Sequence, residues 1–264
     1  MNTSTRPLAL VTGASGGIGE ELARELASKG HDLVLVARST GKLQGLADEL
    51  AGKHSIATHV LTADLGHAGA GHALAAELTA KGLDVDVLVN NAGFADFGEM
   101  WKADAAKLDS MIALNMAVLT ELMHDLIPSM VARGRGRVMN VASTAAFFPG
   151  PLMGVYYATK AYVLSLSEAT HEELKGTGVT VTALCPGPTQ SGFQAAASLQ
   201  NSKLFKGRAL PTAKHVAGLG VAAMLKGKPV IVIGAKNKMS VLSPRFLPRS
   251  MVPGMVKRAQ ATSH

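Results

Sequence analysis

The feature that most constrains the fold is a regular alternation of short aliphatic segments with longer segments of helical periodicity. Buried strands of a parallel sheet have this composition, and successive parallel strands are joined by helical crossovers. The sequence therefore predicts an α/β fold built on a doubly wound, seven-stranded parallel sheet. The predicted strands are Leu8–Val11, Leu33–Val36, Thr58–Thr62, Val85–Val89, Arg137–Ala142, Val179–Leu184 and Val230–Ile233.

Helical patterns follow every predicted strand except the last. The first helix places Ile18, Leu22 and Leu26 on one face. No linker divides the chain, so we expect one domain over residues 1–235 and a C-terminal extension over residues 236–264. The predicted helices are Ile18–Lys29, Lys42–Ala51, His67–Lys81, Ala105–Ala132, Tyr156–Leu174 and His215–Leu225.

Composition indicates an ordinary globular protein. Hydrophobic residues make up 47% and charged residues 17% of the 264 residues. The single cysteine, Cys185, cannot form an internal disulfide, and no leader-like or membrane-length apolar run is present, so a cytoplasmic location is expected.

The formal charge of +7 comes without an aromatic-interleaved basic patch, so no nucleic-acid partner is predicted. The nine histidines lack metal-ligand spacing, so no metal site is expected.

A glycine-rich turn follows the first predicted strand and precedes the first helix, reading Thr12-Gly13-Ala14-Ser15-Gly16-Gly17-Ile18-Gly19. Its glycines, Gly13, Gly17 and Gly19, form T-G-x-x-x-G-x-G rather than the commoner G-x-G-x-x-G. A strand, a tight turn and a helix N-terminus together provide backbone N–H groups for a pyrophosphate. The turn therefore predicts a dinucleotide site.

The end of the second predicted strand indicates which dinucleotide binds. An acidic residue at this position holds a ribose 2′-hydroxyl, whereas an arginine accepts a 2′-phosphate. Here Arg38 follows the strand, and Asp32 lies at its opposite end. We therefore predict NADP(H) as the cofactor.

Tyr156 and Lys160 lie four residues apart on one predicted helix, so their side chains share a face. A free tyrosine has a pKa of about 10, and a nearby ammonium lowers it toward the range useful for proton transfer. Ala161, four residues after the neighbouring Tyr157, carries no charge. Tyr156 is therefore the predicted general acid or base.

Three further polar features accompany this pair. Ser143 ends the fifth predicted strand, at the sheet edge where α/β proteins bind ligands, and Asn90-Asn91-Ala92-Gly93 ends the fourth. Asn115 interrupts an apolar helix, and two interpretations remain open for it: a kink, or a buried amide with a functional partner.

Over residues 6 to 235 the chain resembles the short-chain dehydrogenase/reductase family, whose fold is Rossmann-like. The motifs occur in the family's order and are T-G-x-x-x-G-x-G at Thr12, Asp64-Leu65, N-N-A-G at Asn90, Asn115, Ser143, Y-x-x-x-K at Tyr156 and Pro186-Gly187. The thirteen-residue gap from Ser143 to Tyr156 matches the family and again selects Tyr156 over Tyr157.

The resemblance implies roles for these residues. Tyr156 is the proton donor, Lys160 lowers its pKa and binds the nicotinamide ribose, Ser143 orients the carbonyl, and Asn115 holds a relay water. Ser191 replaces the family's usual threonine, so the carboxamide contact is expected to move to Thr189. The implied cofactor-binding residues are Gly13, Ser15, Gly17, Ile18, Gly19, Arg38, Asp64, Leu65, Asn91, Ala92, Gly93, Tyr156, Lys160, Pro186, Gly187, Thr189 and Ser191.

The predicted function is hydride transfer between NADP(H) and a carbonyl or secondary alcohol on a hydrophobic small molecule. Two alternatives are an NAD-dependent alcohol dehydrogenase and a non-catalytic NADP(H)-sensing protein. The candidate pocket residues are apolar and suit a steroid, fatty-acyl or cyclic ketone. They are Phe94, Phe97, Phe147, Phe148, Pro149, Leu152, Met153, Val155 and Phe193.

Two expectations concern surfaces. Small and apolar residues on more than one face of the helices Ala105–Ala132 and Tyr156–Leu174 predict a homodimer or homotetramer packed through them. The extension mixes basic residues with Leu, Met, Phe and Pro and is expected to be packed and partly irregular. We expect it to cover the substrate entrance or a neighbouring subunit; contact with an anionic membrane is the less favoured alternative.

Overall fold

The structure, a computed structural model, describes residues 6–192 and 210–260 and is built around a parallel sheet. Its strands are β1 (Leu8–Thr12), β2 (Asp32–Ala37), β3 (Thr58–Thr62), β4 (Val87–Asn90), β5 (Gly136–Val141), β6 (Val179–Cys185) and β7 (Val230–Val232). The seven strands lie in the order β3-β2-β1-β4-β5-β6-β7, and every neighbouring pair is parallel. The predicted doubly wound sheet is confirmed, with each strand end within two residues of its predicted position.

The strand order determines where a ligand can bind. From β1 the chain runs outward through β2 and β3, then returns to the other side of β1 and continues through β4 to β7. Helices that follow β1 and β4 therefore leave on opposite faces of the sheet, and a crevice opens between the carboxyl ends of these two strands.

Helices surround the sheet at positions close to the predicted ones. The helices of the described part are α1 (Gly17–Ser28), α2 (Thr40–His54), α3 (Ala70–Ala80), α4 (Ala105–Ile112), α5 (Val118–Ala132), α6 (Gly154–Glu173), α7 (Ala213–Leu225), α8 (Ala235–Leu242) and α9 (Val252–Gln260). The expectation that no helix follows the last strand is wrong, because α8 begins shortly after β7 ends.

The sheet separates two apolar layers because side chains on a strand alternate between its faces. On β1, Leu10 packs in a cluster with Leu122 of α5, whereas Val11 belongs to the opposite cluster with Leu22 of α1. All five residues of β1 are buried, as expected for a central parallel strand.

The segment predicted as one helix, Ala105–Ala132, contains an irregularity at its middle. Residues Ala113–Ala117 between α4 and α5 are π-helical. By length and composition alone this segment is also apolar enough to cross a membrane, although almost half of the apolar window is buried inside the fold. Because its inner side chains belong to the core cluster under the sheet, we assign it as a core helix.

The described part of the C-terminal extension contains helices that were not predicted. It forms α8, a short 3₁₀ turn at Ser243–Arg245 and α9, with an irregular stretch over residues 246–251 as expected for a partly irregular segment. Pro253 is tolerated because it lies in the first turn of α9, where its missing N–H group would have no helical partner. The extension is therefore a folded, helical part of the domain surface.

Candidate active site

The turn after β1 is shaped for close approach of a ligand to backbone. Gly13 and Gly17 adopt φ angles of +66° and +59°, a region that side-chain-bearing residues rarely occupy. A Cβ atom at Gly13 would lie 2.8 Å from the Asn91 amide nitrogen, and one at Gly19 would collide with the Gly13 carbonyl. No side chain caps the N-terminus of α1 among the described residues, so its N–H groups remain oriented toward the crevice.

The turn after β4 holds the glycine turn in place. Asn91 donates from its side-chain amide to the carbonyls of Thr12 and Gly13, at 2.9 and 3.2 Å. In return, the Thr12 hydroxyl accepts hydrogen bonds from the backbone N–H groups of Asn91 and Ala92, at 3.0 and 3.1 Å. This pairing fixes the two walls of the crevice relative to each other, a role for Thr12 that the sequence analysis missed.

A cavity of about 470 Å³ occupies the crevice at the carboxyl ends of β1, β4, β5 and β6. Most predicted cofactor and catalytic residues meet along its wall. Those that line it are Gly13, Ser15, Gly17, Ile18, Gly19, Asn91, Ala92, Gly93, Ser143, Tyr156, Lys160, Pro186, Gly187, Thr189 and Ser191.

Three predicted cofactor residues lie outside this wall. Arg38 is exposed directly after β2, and Asp64 is exposed just beyond β3, where its carboxylate accepts a hydrogen bond from the Gly66 N–H at 2.9 Å. Leu65 is buried in the core cluster. Because β2 lies beside β1 and β3 lies beside β2, all in parallel, Arg38 and Asp64 stand at the same edge of the sheet as the glycine turn.

Tyr156 and Lys160 both lie in the first half of α6 and are buried, at 8% and 6% exposure. The Tyr156 hydroxyl is hydrogen-bonded with Ser143, which caps the turn after β5 by accepting from the Ala145 N–H at 3.1 Å. The Lys160 ammonium donates to the Val141 carbonyl at 2.7 Å and lies 5.8 Å from the centre of the Tyr156 ring. The three side chains therefore form one cluster on the cavity wall.

Burial has the largest effect on the pKa values of Tyr156 and Lys160. It raises the pKa of Tyr156 above its ordinary value, while the hydrogen bond with Ser143 acts in the opposite direction. It also lowers the pKa of Lys160 to about 8. The predicted lowering of the tyrosine pKa by Lys160 is therefore not the dominant effect in the protein alone, because removal from water disfavours both charged forms. At neutral pH the phenol is protonated and able to donate.

Asn115 lies in the π-helical segment and is buried at 1% exposure. Its amide donates to the Phe94 carbonyl at 3.0 Å and to the Thr159 hydroxyl at 3.1 Å, and its oxygen accepts from the Phe94 N–H at 3.2 Å. The helix is irregular here, and the buried amide bonds to backbone and side-chain groups of the fold; a functional partner for Asn115 stays a prediction. These bonds join the turn after β4 to α6 behind the Tyr156–Lys160 pair.

The neighbouring Tyr157 also lines the main cavity but makes different contacts. Its ring meets the Tyr156 ring edge-on, with centroids 6.1 Å apart, and packs over Gly150. Its hydroxyl accepts a hydrogen bond from the amide of Gln260 at the end of α9. The structure thus places Tyr156, and not Tyr157, beside Ser143 and Lys160.

A second cavity of about 260 Å³ adjoins the first and shares Met153 and Tyr156 with it. Of the predicted pocket residues, Leu152, Met153 and Val155 line it, Phe94 lines the main cavity, and Phe97 packs beside both in a small apolar cluster. Phe147, Phe148 and Pro149 lie outside both walls, and Phe193 falls outside the described residues. Among the lining residues that sequence reasoning missed are Met100, Trp101 and Lys257.

Cys185 lies near this cluster but has no exposed surface. Burial raises the pKa of its thiol to about 12, which removes the thiolate at neutral pH. This environment agrees with the packing role expected from the sequence.

Comparison with known proteins identifies relatives of the whole fold. A family model described as short chain dehydrogenase matches residues 7–202. The very-long-chain 3-oxoacyl-CoA reductase of Bos taurus is 34% identical over 182 residues, which cover 67% of this chain and 58% of the bovine protein. This chain therefore spans less than two thirds of that relative's length.

Two further relatives are similar over a larger share of their length. The NADP-dependent 3-hydroxy acid dehydrogenase of Salmonella typhi is 39% identical over 183 residues, which cover 68% of this chain and 71% of that enzyme. The solved structure of a short-chain dehydrogenase from Sphingobium yanoikuyae in complex with NADPH has a TM-score of 0.81 and 30% identity. Their alignment covers 97% of this chain and 99% of that one.

Proposed function

Since this chain belongs to the short-chain dehydrogenase family, we propose that it is an NADP(H)-dependent oxidoreductase that interconverts a carbonyl and a secondary alcohol on a hydrophobic small molecule. The observation that carries the proposal is the cluster of Ser143, Tyr156 and Lys160 on one wall of the main cavity. A buried, protonated phenol beside a hydroxyl and an ammonium is suited to general acid–base catalysis of carbonyl chemistry.

The residues present fit a dinucleotide. Gly13 and Gly19 let the turn pack tightly against Asn91, where a Cβ at either position would collide, and the uncapped end of α1 offers backbone donors on the cavity wall, so this end of the cavity would hold the pyrophosphate. Arg38, exposed at the adjacent strand end, would pair with a 2′-phosphate and favour NADP(H) over NAD(H). When bound, the cofactor supplies or accepts the hydride, and the protein supplies orientation and a proton.

The protein's own groups divide the remaining work. Ser143 and Tyr156 would both donate hydrogen bonds to the substrate oxygen, and Tyr156 would release its proton to that oxygen as negative charge develops there during reduction. Lys160 would hold the nicotinamide ribose and stabilise the phenolate left on Tyr156. Asn115 would hold the turn after β4 at a fixed position relative to α6. The relay water that the resemblance implies would lie beside Asn115.

The second cavity indicates the kind of substrate. Its wall is mainly apolar and begins at Tyr156, so a hydrophobic group attached to the reacting carbonyl would extend into it. Among the ketone classes compatible with the sequence, we infer a fatty-acyl substrate. The names of two relatives, a 3-oxoacyl-CoA reductase and a 3-hydroxy acid dehydrogenase, describe acyl compounds with an oxygen at the third carbon.

The proposed activity is tested by following NADPH oxidation at its absorbance band with a panel of 3-oxoacyl esters, cyclic ketones and steroid ketones. We expect turnover with the first class and a marked preference for NADPH over NADH. Tight NADPH binding without turnover on any member of the panel would favour the sensing alternative. A preference for NADH would favour the NAD-dependent alternative.

The assembly also belongs to this proposal. The segment Ala105–Ala132 carries exposed Ile112 and Val131, at 42% and 37% exposure, on the side away from the core. We infer that this segment and α6 pack against a second copy to form a homodimer or homotetramer. Light scattering at micromolar concentration would contradict this inference if it gave the mass of one chain.

A further inference from the structure

The charges of this chain are divided unevenly along its length. All 19 acidic residues lie at or before Glu173, whereas half of the 26 basic residues follow it. The part of the chain up to Glu173 is therefore acidic overall, and the part after it is basic throughout. The extension that forms α8 and α9 belongs to this acid-free part, so its cations have no acidic neighbours along the chain.

Apolar side chains are exposed on the same extension. Phe246 is 84% and Met239 is 76% exposed, and Leu242, Met251 and Met255 are about half exposed. We call the exposed side chains between Lys236 and Arg258 the tail face. Several large apolar side chains exposed on one folded segment mark an interaction site more often than an isolated exposed leucine does.

The basic side chains of the tail face are not neutralised by the rest of the domain. Arg245, Arg249 and Lys257 are exposed, and none of them forms an ion pair with the part of the chain that the structure describes. The tail face therefore presents apolar groups and uncompensated positive charge together.

The tail face is held firmly because its inner side is anchored. Val241 of α8 and Val252 of α9 are buried, Asn237 donates to the Ile233 carbonyl at 2.7 Å, and Gln260 is hydrogen-bonded to Tyr157. These contacts fix one side of the extension on the domain and leave its apolar and basic side chains pointing outward.

The entrance to the second cavity adjoins the tail face. Lys257 of α9 lines that cavity together with Met100 and Trp101, whose side chains are 67% and 77% exposed. Two exposed apolar side chains thus share a cavity wall with Lys257 of the tail face and with the buried Tyr156.

We propose that the tail face, together with Met100 and Trp101 at the cavity rim, docks this protein on an anionic lipid surface. Apolar side chains at such a surface enter the boundary between headgroups and acyl chains, and each nearby cation adds to the attraction to anionic lipids. The part of the chain up to Glu173 is acidic overall and is repelled by the same lipids, and this repulsion turns the tail face toward the membrane. A hydrophobic substrate dissolved in the lipid then reaches the cavity without crossing water.

Charge also distinguishes an anionic lipid surface from two other candidate partners, a second copy of this chain and a nucleic acid. Symmetric contact between two copies through their tail faces would bring like charges together. A nucleic acid would satisfy the cations but would leave Phe246 and Met239 in water. Lipid with anionic headgroups is complementary to both components of the surface.

Trp101 provides a direct probe, since it is the one tryptophan of the chain. The full-length protein is mixed with vesicles of phosphatidylcholine alone or of phosphatidylcholine with phosphatidylglycerol. We expect flotation with the anionic vesicles, a blue shift of Trp101 emission and quenching by brominated lipid. Affinity for the neutral vesicles should be lower by at least roughly tenfold, since several cations lose their partners.

Paired variants test which residues bind. Phe246→Ser with Met255→Ser should abolish flotation, whereas Leu219→Ser with Leu225→Ser, which changes exposed leucines of α7, should not. Arg245→Glu with Arg249→Glu should weaken binding roughly tenfold or more. The same reversal at Lys42 and Lys53 of α2 should have little effect.

Three results would overturn the proposal. They are absence of binding to the anionic vesicles, binding that the tail variants leave unchanged, and tail variants that instead dissociate an oligomer in light scattering, which would assign the tail face to a second copy. Tyr156→Phe, expected to be inactive, should bind vesicles like the wild type. Vesicle binding and the proposed oxidoreductase activity can therefore fail independently.

Discussion

Gln260, the last residue of α9, donates a hydrogen bond to the hydroxyl of Tyr157, the residue next to the proposed proton donor. The two residues are 103 positions apart, and Gln260 has no exposed surface. Because the Tyr157 ring contacts the Tyr156 ring edge-on, this bond connects the C-terminal extension to the catalytic cluster. The extension therefore bears on the shape of the substrate cavity as well as on the outer surface.

The first prediction tests this connection. Tyr157→Phe and Gln260→Leu each remove the hydrogen bond without removing bulk, so α9 should hold the second cavity less firmly. We expect KM to rise roughly three- to tenfold, equivalent to about 1 kcal/mol, with kcat changed less than about twofold. The double variant should behave like either single variant, because both remove the same bond.

A matched control is available in α6. The Tyr162 hydroxyl is hydrogen-bonded to Thr120 at 2.8 Å, away from both cavities, so Tyr162→Phe removes a similar bond. It should leave KM unchanged. If Tyr162→Phe raises KM as much as Tyr157→Phe does, loss of stability rather than loss of the α9 contact explains both results.

The second prediction concerns the proton donor. Tyr156→Phe deletes the hydroxyl that is hydrogen-bonded with Ser143 and should reduce kcat by about 10²–10⁴-fold, the usual contribution of a general acid. The dissociation constant for NADPH, measured by fluorescence titration, should change little. Tyr157→Phe is measured in the same assay for comparison. If that variant is the inactive one, the assignment of Tyr156 as the proton donor is wrong.

The third prediction concerns cofactor selectivity. Arg38→Asp replaces a cation with an anion at the position proposed for the 2′-phosphate, so the preference for NADPH over NADH should fall on the order of 100-fold. Binding of NADH should be unchanged or improved. Lys53→Asp makes the same charge change on α2 and should leave the ratio of kcat/KM for NADPH and NADH unchanged. If Lys53→Asp lowers the preference for NADPH as much as Arg38→Asp does, the effect comes from overall charge and not from the 2′-phosphate.

Local patterns explain why so much of the fold and the site was predictable. The glycine turn, the Tyr156–Lys160 spacing and the strand ends at Ser143 and Asn91 are each set by a few consecutive residues and by the direction of a parallel strand. Parallel strands order their carboxyl ends along one edge, so predicting the sheet also predicted that these residues would meet.

Contacts between distant segments were not predictable in the same way. The bonds from Thr12 to Asn91 and from Gln260 to Tyr157 join residues with no shared local pattern. The helices of the extension were not predicted, although Pro253 falls where a helix tolerates proline. Burial, which raises the pKa of Tyr156 and lowers that of Lys160, likewise depends on the packed fold and not on their spacing.

The fourth prediction follows from the burial of Lys160, which lowers its pKa from 10.5 to about 8 in the folded protein. Below pH 8 the ammonium is charged in both states, and the fold carries the full unfavourable contribution of about 3 kcal/mol. Between about pH 8 and 10.5 the folded protein has released this proton while the unfolded chain still holds it. The unfolded state then binds more protons, so this group makes the free energy of unfolding rise with pH in that window.

Two other buried groups act in the opposite direction at higher pH. The pKa of Cys185 is raised from 9.0 to about 12 and that of Tyr156 is raised from 10.0, so each makes stability fall as pH rises above its unfolded value. Lys160→Met keeps both groups and loses the ammonium together with its hydrogen bond to the Val141 carbonyl, a loss that adds a constant offset to the stability difference. Because Lys160 also acts on the pKa of Cys185, the comparison is made below pH 9. Urea unfolding of the two proteins from pH 7 to 9 should show the stability of Lys160→Met, relative to the wild type, falling as the pH passes 8. A difference that stays constant across this range would mean that the Lys160 pKa is not lowered by burial.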